Sequence, residues 1–304
     1  MHRCGAVFAA AVFIPSALAQ AADPNFSMDV NRVAATFSVT DRRGHFVTLT
    51  RDDFEVLDNQ KPQKILDFSA ESELPLRLAL LFDASTSMRD RFRFMQEAAV
   101  TFLKNAVRPD QDQAMLVSFD IVPEVILEFN SDIDRLSQAV RDLRPGGATA
   151  LYDAIDLAAK RMLQNARAGR FRYVIVIFSD GDDNQSRLTR QQSLESAQRT
   201  NAVMFAVSPT QQNGPGQGDK ILNFLTSETG GTALFPFRME DMARSFDTIS
   251  KELRHQYNIL YRPDSLTANG SFHTVEIRLK EARSGFKVRA AKGYYAPLPP
   301  PDHR

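Results

Sequence analysis

Two stretches of the chain are apolar almost without interruption: 76–82 (LRLALLF) and 172–178 (RYVIVIF). Such runs mark strands buried on both faces, as in a parallel sheet covered by helices. Further strand patterns fall at 114–119, 122–129 and 203–207, and helical spacing recurs over 92–107, 133–143, 150–166, 190–200, 220–227 and 239–253. Strands alternating with helices predict an α/β unit over 74–256, a Rossmann-like, doubly wound and mainly parallel sheet. The flanks read differently. Strand patterns at 30–39, 45–49, 54–57 and 65–68, and again at 257–261, 271–279 and 286–288, are separated by turn signals such as Asp41-Arg42-Arg43-Gly44. Neither flank is large enough for a core of its own. Residues 26–72 and 257–296 are therefore expected to form one small β-sandwich, with the α/β unit inserted between them. The stretch 211–218 (QQNGPGQG) reads as a surface loop, and 297–304, beginning PLPPP, as a disordered tail.

The first residues follow another logic. His2 and Arg3 precede an apolar run over 6–14, followed by Pro15 and the small-residue pattern Ala17-Leu18-Ala19. This is the layout of a secretory signal over 1–19, cleaved after Ala19. A membrane anchor would need about 20 apolar residues, and the run is shorter. Cleavage removes Arg3 and the single cysteine, Cys4. An exported chain without cysteine suits the periplasm or exterior of a bacterium, and it has no disulfide framework or cysteine-based zinc site.

Composition narrows the classes further. The 304 residues are 43% hydrophobic and 9% aromatic, enough for a packed core. Basic and acidic side chains balance at 37 each. A general nucleic-acid or membrane-surface binder would carry a basic excess, so neither partner is expected, and no later stretch is long enough to span a bilayer.

Chemistry concentrates at the ends of the two apolar runs. Asp83-Ala84-Ser85-Thr86-Ser87 follows the first, Ser179-Asp180-Gly181-Asp182-Asp183 follows the second, and Gly146-Gly147-Ala148-Thr149 opens a helix between them. Open parallel sheets bind ligands at the carboxyl ends of their strands, where the strand order reverses. Hydroxyls of Ser85, Ser87 and Thr149, with carboxylates of Asp83 and Asp180, would form an all-oxygen shell there. Such a shell suits Mg²⁺, with Ca²⁺ or Mn²⁺ as the other oxygen-preferring ions. Ordinary structural roles compete with this reading. Hydroxyls before helices are common caps, Asp180 before Gly181 is a turn residue, and Asp83 could simply accept from backbone amides. Asp182, Asp183 and Asn184 lie close by and either support the site from behind or form a solvated turn, the turn being the favoured reading; Asp90 reads as the solvated start of a helix in preference to a second ion site.

The motifs D-x-S-x-S at 83–87, Gly-Gly-Ala-Thr at 146–149 and Ser-Asp-Gly at 179–181 resemble the metal-ion-dependent adhesion site of von Willebrand factor type A domains. The resemblance covers 74–256. The flanking pieces 39–44 (VTDRRG), 49–54 (LTRDDF) and 293–297 (GYYAP) are similar to the exported acidobacterial von Willebrand factor A-related family. The resemblance implies direct metal contacts from Ser85, Ser87 and Thr149, with Thr149 joining in the ligand-bound state, and contacts largely through water from Asp83 and Asp180. It also implies a protein partner presenting an Asp or Glu carboxylate, and so an exported adhesion or interaction module.

Catalysis is not expected. No HExxH or GxSxG motif occurs, 214–218 lacks phosphate-loop spacing, and His45, His255 and His273 are scattered. A metal-dependent hydrolase would need a general base at the site, and none is evident. That enzyme, and a scaffold whose metal site is never used, are the alternatives to the binding module.

Overall fold

The computed structural model describes residues 32–70, 74–165, 171–209, 216–264, 266–280 and 285–298. The expected signal segment, residues 211–215 of the expected loop and residues 299–304 of the expected tail lie outside them.

The two apolar runs become β5 (Leu76–Asp83) and β8 (Arg172–Phe178), paired in parallel at the centre of a six-stranded sheet. The order is β10 (Ala233–Leu234), β9 (Val203–Val207), β8, β5, β6 (Gln113–Phe119) and β7 (Pro123–Asn130); only β7 runs antiparallel to its neighbour. Leu78, Leu80 and Phe82 point into one core, and Ala79 and Leu81 into the other. Both faces of β5 are thus buried, which is why its sequence does not alternate. The first core is covered by α1 (Phe92–Ala106), α2 (Ile133–Asp142) and α6 (Met239–Arg254). The second is covered by α3 (Leu151–Gln164), α4 (Arg190–Arg199) and α5 (Gln217–Glu228). Each large apolar side chain removed from water contributes about 1.5–3 kcal/mol. This is the doubly wound, mainly parallel architecture expected from the pattern. Among the described residues, no helix is long and apolar enough to cross a membrane.

Strands from both ends of the chain interleave in two antiparallel sheets. In the first, β1 (Val33–Thr40) lies between β13 (Lys287–Ala290) and β11 (Gln256–Tyr261), and β4 (Ile65–Ala70) pairs with β11. In the second, β12 (Phe272–Leu279) lies between β14 (Gly293–Tyr295) and β2 (Phe54–Asp58), with β3 (Lys61–Gln63) beyond β2. Phe37, Phe54, Ile259 and Ile277 share one core between the sheets, where the rings of Phe37 and Phe54 meet edge-on at 4.9 Å. A buried carboxylate also ties the flanks together. Asp58 on β2 accepts from the hydroxyls of Tyr261 and Tyr294, both at 2.9 Å, and contacts His273 Nδ1 at 2.9 Å.

The expected strand at 45–49 does not form. Only an isolated bridge joins Thr40 to Phe46. Side chains take two of the amides that a ladder would have used, Asp41 accepting from that of His45 and Tyr257 from that of Leu49, while Val47 N still donates to Val39 O. Strands β3, β10 and β14 are too short to show a period in sequence.

Candidate functional site

Asp83 is the last residue of β5, and Ser179 and Asp180 directly follow β8. These neighbouring parallel strands deliver both loops to one edge of the sheet. The strand order reverses here, since β6 pairs on one side of β5 and β8 on the other.

A chain of oxygen atoms crosses this crevice. Ser85 Oγ and Ser87 Oγ are 3.0 Å apart, and Ser87 Oγ donates to Asp180 Oδ2 at 2.8 Å. Behind them, Asp83 is fully buried; it accepts from the Ser85 amide at 2.9 Å and from Ser179 Oγ at 2.6 Å. Burial pushes the Asp83 carboxyl up to about 6, with the nearby Asp180 charge adding to the rise, while hydrogen bonds from Ser179 and Ser85 oppose it.

Thr149 is buried on the adjoining loop, and among the described residues its hydroxyl makes no hydrogen bond to the other four. That loop is fastened to the first one. Gly146 N donates to Ala84 O at 2.6 Å, and both Thr86 Oγ1 and Thr86 N donate to Gly147 O. Gly147 has φ +74°, and a Cβ there would stand 3.0 Å from Asp120 Oδ2 and from Ile121. Only glycine meets both conditions comfortably.

The capping alternative can be checked directly. Ser85 occupies the N-cap of the 3₁₀ helix Thr86–Arg91 without a side-chain cap bond, and α3 is capped by Ala150, not Thr149. These hydroxyls are not spent on helix ends. Asp180 does behave partly as a turn residue, since Asp182 N donates to its Oδ1 at 3.3 Å. Its other oxygen faces Ser87.

Residues read from sequence as a solvated turn do more than that. Asn184 Oδ1 accepts from Thr149 N at 3.0 Å, and Asn184 N donates to Thr149 O at 3.1 Å. Asp183 Oδ2 accepts from Tyr152 N, in the first turn of α3, and from Ser186 Oγ. Asp153 returns the contact by accepting from the amides of Arg187 and Leu188. The loop after β8 therefore sets the position of Thr149. The sequence signal for this was the excess of Asx residues after Ser-Asp-Gly, a composition that an exposed turn shares.

The donor set fits a hard cation. In an octahedral Mg²⁺ site with bonds of about 2.0–2.1 Å, adjacent ligand oxygens lie about 3 Å apart. The Ser85–Ser87 and Ser87–Asp180 spacings match that edge. Among the described residues, no group of three or more His, Cys, Asp and Glu could hold a metal ion. A cation here would rest on hydroxyl oxygens, with one carboxylate at the front and one behind.

The central unit is thus a doubly wound α/β domain with hydroxyl and carboxylate oxygens at its switch point. Residues 78–182, about a third of the chain, match the family model described as the von Willebrand factor type A domain. A von Willebrand factor type A structure from Catenulispora acidiphila is 12% identical, with a TM-score of 0.51, over 90% of this chain and 75% of that one. Proximal thread matrix protein 1 from the mussel byssus, with a zinc-occupied MIDAS motif, is 16% identical with a TM-score of 0.51; the match covers 64% of this chain and 49% of that one. A D319A mutant of the PilB minor pilin from Streptococcus sanguinis is 14% identical with a TM-score of 0.49, over 60% of this chain and 62% of the pilin. This chain thus spans less than two thirds of the pilin and about half of the mussel protein. No curated protein sequence matches it.

Proposed function

We propose that the chain is an exported protein-binding module that recruits an acidic group of a partner through a divalent cation. The observation that carries the reading is the run of oxygen atoms from Ser85 through Ser87 to Asp180, spaced at 3.0 and 2.8 Å on loops held by the central strands. Ser85, Ser87 and Asp180 would hold the ion, with Thr149 on the neighbouring loop. The ion supplies an electrophilic centre with few direct negative ligands, which a carboxylate from a partner complements. Mg²⁺ is the favoured ion, ahead of Ca²⁺ and Mn²⁺. The zinc-occupied motif in the mussel protein supports a divalent ion in this kind of fold.

Binding is favoured over hydrolysis by the partners of the three histidines among the described residues. His45 contacts Asp41, His255 stacks on Phe46, and His273 contacts Asp58, all contacts with the flanking β segments. None of the three stands beside Ser87 as a general base.

Calorimetric titration of the full chain with Mg²⁺ tests the proposal. Saturable binding is expected, weakened at least about tenfold in Ser87→Ala and Asp180→Ala. Neither side chain is deeply buried, so melts in EDTA should shift by less than about 1 kcal/mol. Equal Mg²⁺ affinity in wild type and both variants would overturn the metal site. Turnover of an ester, peptide or phosphoester panel would overturn the binding reading.

A further inference from the structure

The loops that build the oxygen site also wall a groove of about 450 Å³. Arg89 enters it from the 3₁₀ helix that follows Ser85, Arg93 from α1, Arg141 from the last turn of α2, and Arg144 from the strand of chain leading to Gly146. Glu97 is the one carboxylate in the lining, and it pairs with Arg93 at 3.6 Å. Arg89, Arg141 and Arg144 have no carboxylate partner among the described residues. In a chain with equal numbers of acidic and basic side chains, such an excess at one place is local, not a reflection of overall charge.

The groove is built, not incidental. Gln96 Nε2 donates to the carbonyls of Val140, Arg141 and Leu143, which locks α1 to the end of α2. Arg144 Nη1 donates to the carbonyls of Arg141 and Leu143, so its guanidinium is held in place with other N–H groups free to act. Arg144 thus also serves the carboxyl end of α2, where a cation is stabilising. Arg89 is exposed, two residues beyond Ser87, and makes no such bond.

We infer that this groove takes an acidic protein segment, with one carboxylate at the Ser85–Ser87–Asp180 site and its neighbours on Arg89, Arg141 and Arg144. The inference rests on the proposed metal-dependent reading and extends it from a single acidic group to a run of them. Three features carry it. The groove adjoins the oxygen site along the chain, since Arg89 stands two residues after Ser87 and Arg144 two residues before Gly146, whose amide is bonded to Ala84 O. Its charge is complementary to carboxylates. Guanidinium groups bind carboxylates in paired, directional hydrogen bonds. An isolated surface ion pair contributes little, but several converging on one bound segment act together.

The probe is a fluorescein-labelled oligoglutamate peptide, read by anisotropy on the full chain in Mg²⁺ and in EDTA. A peptide with one glutamate among glycines serves as reference. Arg89→Glu with Arg141→Glu is expected to weaken oligoglutamate binding at least about tenfold and flatten its salt dependence. Mg²⁺ affinity by calorimetry, and binding of the reference peptide, should stay unchanged. Arg144 is left in place because it serves the end of α2. Arg89→Ala with Arg141→Ala should give a smaller loss in the same direction, which guards against an effect of the reversed charge on folding. Unchanged oligoglutamate affinity in both double variants, with Mg²⁺ binding intact, would overturn this inference and leave the metal site standing. Absence of Mg²⁺ binding in the wild type would overturn the metal reading, and the inference with it. Tighter binding of a sulfated oligosaccharide through the same arginines would also overturn it, since the groove would then serve a polysaccharide.

Discussion

Asp83 meets two opposed demands. Its carboxylate anchors the Ser85 amide and the Ser179 hydroxyl, yet it is fully buried and stands near Asp180. With the folded carboxyl raised from 3.8 to about 6, between those pH values the native state holds a proton that the unfolded chain has released. In EDTA this group therefore stabilises the fold below about pH 4, and that contribution is lost as pH rises through about 6. The full swing is roughly 3 kcal/mol. Asp83→Asn keeps an acceptor for Ser85 and cannot ionise. Thermal melts in EDTA should show Asp83→Asn at least as stable as wild type at pH 7–8, with the advantage vanishing toward pH 4. Its Mg²⁺ affinity should fall. Had Asp83 served the fold alone, the variant would be less stable at every pH, with unchanged metal affinity. The residue type was legible from sequence. Its protonation behaviour was not, because that follows from complete burial beside a second carboxylate.

Elements β5, β8 and α3 place the site, and the loops between them hold its parts together. Asn184 clamps both the amide and the carbonyl of Thr149, and Asp183 accepts from Tyr152 at the start of α3. Loss of one such hydrogen bond costs about 1 kcal/mol. Asn184→Ala should accordingly lower stability by about that amount and weaken metal-dependent partner binding more than metal binding itself, as Thr149 loses its fixed position. Calorimetry with Mg²⁺, followed by binding of the oligoglutamate probe, separates the two. A change in stability with no change in either binding reaction would assign Asn184 to the fold only. The long helices were readable because each carries a sustained period, and the two buried strands because each is a nearly unbroken apolar run. Strands β3, β10 and β14 were not, because three residues or fewer show no period.

At the scale of the whole chain, the flanks depend on each other. β1 lies between two strands of the C-terminal flank, and β2 pairs with a third. Residues 26–72 expressed alone should give an undispersed NMR spectrum; a dispersed, cooperatively melting one would show that this flank needs no partner. Asp58 makes the same point chemically. Asp58→Ala would leave the hydroxyls of Tyr261 and Tyr294 and one nitrogen of His273 buried without their shared acceptor. Each such loss costs about 1–3 kcal/mol, so the variant should melt well below wild type while Mg²⁺ affinity at the oxygen site is kept. Unchanged stability would mean that water reaches this cluster.

By itself, the sequence determined the doubly wound middle, the strand-rich flanks and the three oxygen-bearing motifs at strand ends. Periodicity and local residue chemistry act over short stretches, so one chain is enough to reveal them. Tertiary structure alone decided that Ser87 stands 2.8 Å from Asp180 while keeping Ser85 at 3.0 Å. It also decided that Asn184 holds Thr149, that Leu49 gives its amide to Tyr257, and that four arginines from separate segments line one groove. Each depends on contacts between residues far apart in the chain. The physical reason is that such contacts are selected by the packing of whole elements, which no local pattern encodes.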